Sequence, residues 1–277
     1  MRYFAFEAGS RAGFSTEKFF HAYKKQVTSE DTLVLVDTDP VFTLLPTEVY
    51  ASRITEDVAM RIITKEDFVF PCDELTRQGN RIVKGIASNS VSCVEDWFYN
   101  KRAVNKHLSE KASAIKVPTT FQCEDLFIKP NTKSAGSKGC YSASNLCISE
   151  HINIRHEYVV DCLEKDGELK VFPREVMLRN GYDKYVKLLP ISGRLAMQVH
   201  EFVKSVNSPL FSGIFHLQIA ENECGELYYI ESSKRISGSS VVNLHRGFNP
   251  FCFINGIDDK DEHLHLEDKW YRYEDLI

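Results

Sequence analysis

Apolar positions recur along the chain in two rhythms, and their order predicts an α/β protein. The opening RYFAF is a compact apolar run closed by Gly9 and Gly13, which reads as a strand and a glycine turn. TEKFFHAYKK sets Phe19, Phe20 and Tyr23 on one helical side, with Ser15 or Thr16 as the expected cap. TLVLVDTDP then reads as a buried strand ended by a proline. Strand, turn, helix and strand in this order begin a parallel sheet. The segment 57–86 predicts a short helix, a strand at 68–70 and a further helix. A longer helix follows over VEDWFYNKRAVNKHLSEKA, with Trp97, Val104 and Leu108 as its stripe. A first subdomain is expected at 1–112.

Beyond Pro118 the rhythm shortens. LFIKP, EYVVDCL and ELKVFP predict strands, the last two joined by the hairpin turn EKDG. SGRLAMQVHEFVKSV spaces Leu195, Val199, Phe202 and Val206 as a helix stripe. IFHLQIA and ELYYIE predict a second hairpin around ENECG. No repeat of fixed period is present.

Composition narrows the class. The 277 residues are 43% hydrophobic and 26% charged, the balance of a globular protein. A net charge of −5 argues against nucleic acid as the partner, since phosphate neutralisation needs a basic surface. The opening segment does not read as a secretory signal, and no apolar run of about eighteen residues is present to span a bilayer. The eight cysteines contain no C-x-x-C pair, so a cytoplasmic protein with reduced, partly core-filling thiols is expected.

Three places carry candidate chemistry. FIKPNTKSAGSKGCY, from Phe127 to Tyr141, lacks the P-loop spacing, and read alone it fits an anion-binding turn or a solvated hairpin. Lys129 stands mid-strand, where its ammonium must reach water or a negative ligand. In the second hairpin, if Gln218 pairs opposite Glu231 or opposite Tyr229, Gln218 and Glu231 share a sheet face. With Ser233 they form an oxygen-only set suited to magnesium, and Arg235 and the donors of SGSS follow at once.

Taken in order, these segments resemble the ATP-grasp ligases, most closely those like the carbamoyl phosphate synthase large subunit. The resemblance covers most of the chain. It implies an ATP-grasp fold with three parts: the parallel α/β subdomain at 1–112, a small β-rich lid lobe at 113–165 and a C-terminal antiparallel sheet lobe at 166–277. It makes Lys101 and Lys129 phosphate contacts, and Gly136, Ser137, Lys138 and Gly139 the lid over the triphosphate. Glu150, His151 and Ile152 would line adenine, and Glu157 would hold the ribose hydroxyls. Gln218, Glu231 and Ser233 would ligate Mg2+ or Mn2+, with Arg235 at the reactive phosphate. Arg174, Arg179 and Lys187 become candidates for the γ-phosphate or the substrate carboxylate.

Two features depart from the family. Serine at 233 and lysine at 234 replace its usual asparagine and proline, and a single unit argues against carbamoyl phosphate synthesis itself. The implied reaction activates a carboxylate as an acyl phosphate on ATP and transfers it to an amine, with small-molecule substrates and no membrane or nucleic-acid partner. Ammonia, a thiol or a sugar amine as acceptor, and nucleotide binding without turnover, are the alternatives. The sequence leaves the substrates and the oligomeric state open.

Overall fold

The computed structural model describes residues 1–37, 51–72, 89–90, 96–121, 148–179, 182–257 and 270–272. Its first sheet is built from β1 (Arg2–Phe6), β2 (Thr32–Asp37), β3 (Ala51–Thr55), β4 (Phe68–Pro71) and β5 (Asn89–Ser90). They run parallel in the order β3-β2-β1-β4-β5. The chain therefore reverses its winding direction between β1 and β4. The carboxyl ends of those strands are where α/β sheets open a crevice.

The helix after β1, α1 (Arg11–Gln26), begins earlier than its sequence suggests. Its cap is Ser10, whose hydroxyl accepts from the Gly13 N–H at 3.3 Å, rather than Ser15 or Thr16. Gly13 lies inside the first turn. A Cβ there would stand 1.9 Å from the Ala8 carbonyl oxygen, so the turn closes only because the residue is glycine. Ser15 and Thr16 are buried, and Thr16 Oγ1 donates back to the Ala12 carbonyl at 2.7 Å.

A short helix, α2 (Glu56–Ile62), follows β3 as expected. The long helix expected over 94–112 is broken. A 3-10 turn, Asp96–Tyr99, precedes α3 (Lys101–Ser109), and Asn100 between them caps α3 by accepting from the Ala103 N–H at 3.1 Å. Two short strands, β6 (Thr120–Phe121) and β7 (Ile148–Ser149), then pair antiparallel.

The second sheet has six strands: β8 (Ile154–Lys165), β9 (Glu168–Arg179), β10 (Tyr182–Leu188), β11 (Gly213–Asn222), β12 (Leu227–Ser233) and β13 (Tyr271–Arg272). They are antiparallel in the order β12-β11-β8-β9-β10-β13. Asp166 and Gly167, at φ 55° and 87°, make the two-residue turn between β8 and β9. The expected boundary after residue 165 falls in that turn, and β8 belongs to the same sheet as β9.

Strand alternation gives this sheet two buried faces. Val160, Cys162, Val171, Phe215, Leu217, Ile219 and Tyr229 pack on α3 and on α4 (Arg194–Val206), whose Val199, Phe202 and Val206 are the expected stripe. On the other face Leu163, Phe172, Val186, Leu188 and Ile214 join a core with Tyr3, Phe19, Phe20 and Phe70 of the first subdomain. That core also takes Ile236, Val241, Val242 and Phe248, together with Phe251 and Cys252 of α5 (Pro250–Ile254). Cys72, Cys162 and Cys252 are buried, as expected of core fillers. Among the described residues no helix is long and apolar enough to cross a membrane.

Candidate functional site

The hairpin β11–β12 places the first pair of candidate ligands. Near its turn the register is regular, with Glu221 opposite Leu227, Ala220 opposite Tyr228 and Ile219 opposite Tyr229. Continued unchanged, it would set Glu231 opposite Leu217, on the face covered by α4. A bulge at Ile230 shifts the register by one, and Gln218 stands directly opposite Glu231. Ser233 falls opposite His216 on the same face. The face extends through β8, where Ala220 pairs Glu157 and Gln218 pairs Val159. Glu157, Gln218, Glu231 and Ser233 thus share one surface, and Ser233 is buried on it.

Lys101, the first residue of α3, reaches this surface across the β12 edge. Its Nζ donates to Glu231 Oε2 at 2.7 Å, with the lysine side chain 64% exposed and the carboxylate 27%. Lys116 fastens the segment after α3 to the same edge. Its N–H donates to the Leu227 carbonyl at 2.9 Å, and its own carbonyl accepts from the Tyr229 N–H at 2.8 Å. Two candidates 130 residues apart in sequence are brought into contact.

Arg174 has a different place from the one expected at the γ-phosphate. It shares the cross-strand row of Gln218 through Val159, but its side chain is fully buried. Its Nη1 donates to Asp161 Oδ2, and its Nη2 donates to Ser237 Oγ and Ser239 Oγ at 2.8 Å each. Asn243 Nδ2 donates to the same Asp161 oxygen at 2.8 Å. Arg246 Nη1 donates to Asn243 Oδ1 at 2.9 Å and to the Pro173 carbonyl at 3.2 Å, and its Nη2 to the Leu189 carbonyl. Burial, with Arg174 nearby, lowers the Arg246 pKa to about 10, which still leaves it charged at neutral pH. This network, with Arg174 at its centre, ties the loop after β12 to the sheet floor.

His216 completes the floor. It is 2% exposed, and its Nδ1 lies 3.1 Å from the Arg235 carbonyl oxygen. A carbonyl only accepts, so Nδ1 carries the proton in this contact. Burial, then repulsion from Arg235 and Arg174, pushes its pKa down to about 3, and the ring is neutral at physiological pH. His216 fixes the backbone of Arg235, whose Nη1 donates to the Ile236 carbonyl at 3.2 Å.

Lys187 stands on the opposite side of the sheet. It pairs Glu175, which pairs Tyr158, whereas Val186 and Leu188 take the core face. Strand parity therefore separates Lys187 from Gln218 and Glu231. On its face His156 Nδ1 meets Glu175 Oε1 at 2.5 Å and Tyr158 donates to Glu221 Oε2 at 2.8 Å.

Of the expected adenine-lining residues, Glu150 stands beside the β6–β7 pair. Its N–H donates to the Thr119 carbonyl at 3.0 Å, and its carboxylate accepts from the Thr119 N–H at 3.2 Å. His151 is exposed and Ile152 half-buried on the way into β8. Lys129, Gly136, Ser137, Lys138 and Gly139 lie outside the described residues, and the side chain of Arg179 does too. Asp161, His216, Asn243 and Arg246 were not singled out in the sequence, whereas Ser237 and Ser239 were expected as donors of SGSS and here accept from Arg174. The signal for the first two was a polar residue inside an apolar strand, VVDCL and IFHLQIA.

No family model matches the chain, and no curated protein sequence matches it. Solved structures do. An ATP-grasp superfamily protein from Archaeoglobus fulgidus superposes with a TM-score of 0.64 at 15% identity, over 95% of this chain and 90% of that one. N5-carboxyaminoimidazole synthetase from Staphylococcus aureus gives 0.64 at 12% identity, over 98% and 80%. L-amino acid ligase from Bacillus licheniformis gives 0.58 at 12% identity, over 87% and 68%. Identities this low establish architecture alone, and the architecture is plain: the chain has the ATP-grasp fold.

Proposed function

We propose that the chain is an ATP- and magnesium-dependent ligase that activates a carboxylate as an acyl phosphate and joins it to an amine. The observation that carries this reading is the convergence, within an ATP-grasp fold, of Gln218 and Glu231 on one sheet face with the Lys101 ammonium 2.7 Å from Glu231. Similar solved structures include ligases, one of them a Staphylococcus aureus synthetase complexed with ADP.

The residues present fit a hard cation. Glu231, Gln218 and Ser233 offer a carboxylate, an amide oxygen and a hydroxyl, and nitrogen or sulfur is absent from the set. Among the described residues no group of three or more His, Cys, Asp and Glu side chains gathers to hold a metal by itself. The set therefore suits an ion that arrives with phosphate oxygens of its own. Bound there, magnesium would neutralise charge on the phosphoryl group in transfer.

The chain's own groups do the rest. Lys101 and, on the sequence resemblance, Lys129 hold the triphosphate, while 136–139 cover it. A substrate carboxylate oxygen attacks the γ-phosphorus, forming one O–P bond as the bond to the ADP oxygen breaks. Arg235, its backbone fixed through His216, faces the charge that develops. The amine nitrogen then attacks the acyl carbon, inorganic phosphate leaves, and the nitrogen loses its proton. Positioning and charge neutralisation suffice for both steps. The closer likeness to carbamoyl phosphate synthase-type enzymes rests on the sequence motifs.

Calorimetry with Mg-ATP and a screen of carboxylates with amines, read as ADP release, test the reading. Wild type should bind Mg-ATP, and Lys129→Ala with Glu231→Ala should abolish ADP release. Absence of nucleotide binding by wild type ends the proposal. Serine at 233 favours one second reading, nucleotide binding without turnover, because a hydroxyl is a poorer metal ligand than the amide oxygen of the family's usual asparagine. Tight Mg-ATP binding with no ADP release across the whole panel would select it.

A further inference from the structure

Lys101 and Glu231 are both assigned to the bound nucleotide, yet here they are assigned to each other. The ammonium lies 2.7 Å from the carboxylate that would ligate the metal. A divalent ion arriving alone would meet a positive charge already seated on its ligand. A triphosphate arriving alone would place its negative charge beside Glu231. When both arrive, Lys101 passes to phosphate, Glu231 passes to the metal, and each charge keeps a partner of opposite sign.

Building on the ligase reading, we infer that Lys101 and Glu231 form an exchange pair that couples metal binding to nucleotide binding. In the free chain the lysine holds the metal ligand, and the triphosphate removes the lysine. By reciprocity each ligand strengthens the other by the same factor. The pair is partly exposed, so the coupling is modest in water. Removing one charge at this distance changes affinity by roughly five-fold.

Mn2+ alone, followed by the loss of its free-ion electron paramagnetic resonance signal, isolates the pair from turnover. Lys101→Met should bind Mn2+ about five-fold more tightly than wild type. The same variant should bind Mg-ATP more weakly by calorimetry. Lys101→Arg keeps the cation and should match wild-type Mn2+ affinity, and Glu231→Gln should lose the site. A merely structural lysine would weaken both ligands together. Unchanged or weaker Mn2+ binding by Lys101→Met, or tightening by Lys101→Arg as well, overturns the inference. If wild type gives no heat with Mg-ATP, the ligase proposal falls and takes the exchange with it. Normal Mg-ATP binding with an unaltered Mn2+ affinity removes the exchange alone.

Discussion

His216 sits in a fully buried position beside two arginines, and its neutrality is a condition of the folded state. Its pKa falls from the ordinary histidine range to about 3 on folding, so between those values the unfolded chain binds a proton that the folded chain does not. Stability from this group is full above about pH 6.5 and is lost as pH falls, at about 1.4 kcal/mol per pH unit. Urea unfolding of His216→Gln should therefore show a shallower loss of stability between pH 6.5 and 4.5 than wild type. Equal slopes would mean that another group sets the acid limit. The same floor shows what single residues conceal in a sequence. Asp161 in VVDCL and Arg174 in FPREV each read as isolated polar intrusions. Only the β8–β9 register makes them one buried pair, and breaking such a pair costs about 3–5 kcal/mol because the remaining charge stays inside.

Elements were legible where apolar periodicity and turn residues agreed, as in α4 and in both long hairpins. They were misread where one residue had two uses. Gly13 looks like a breaker, and the expected cap was placed after it. It is instead the residue that lets the first turn of α1 press onto the Ala8 carbonyl. Gly13→Ala would ordinarily favour a helix by about 1 kcal/mol. Here the Cβ overlaps backbone, and the variant should unfold at a lower temperature than wild type by circular dichroism. An unchanged or raised midpoint would show that the turn has room. The bulge at Ile230 had no such signal. An apolar residue next to Glu231 looks like ordinary alternation, yet the slip it absorbs decides which side of the sheet the carboxylate faces. Lys187 was the converse case, since its place between Val186 and Leu188 already contained the parity that sets it apart.

At the scale of the whole molecule, the parallel sheet β1–β5 lies within the segment expected as a subdomain at 1–112, and its core is not its own. Tyr3, Phe20 and Tyr23 pack against Phe251, with ring centroids 5.0, 5.2 and 6.1 Å away. Asn249 Nδ2 donates to the Phe19 carbonyl at 3.1 Å, and Ser15 Oγ to the Gly238 carbonyl at 3.1 Å. Sequence periodicity shows that a face is apolar but not which distant segment covers it. A fragment of residues 1–112 should accordingly be insoluble or bind a hydrophobic dye such as ANS, whereas the whole chain should not. A soluble fragment with a cooperative melt would show that the shared core is dispensable.

The Tyr3 hydroxyl accepts from Asn255 Nδ2 at 2.8 Å, a contact between residues 252 positions apart. Ribosomes add roughly 5–20 residues per second, so the first strand emerges some 10–50 seconds before the segment that covers it. Throughout that interval an aromatic surface stands open on the nascent chain. The segment around residues 236–255 thus closes over the first strand only after the chain between them has been made.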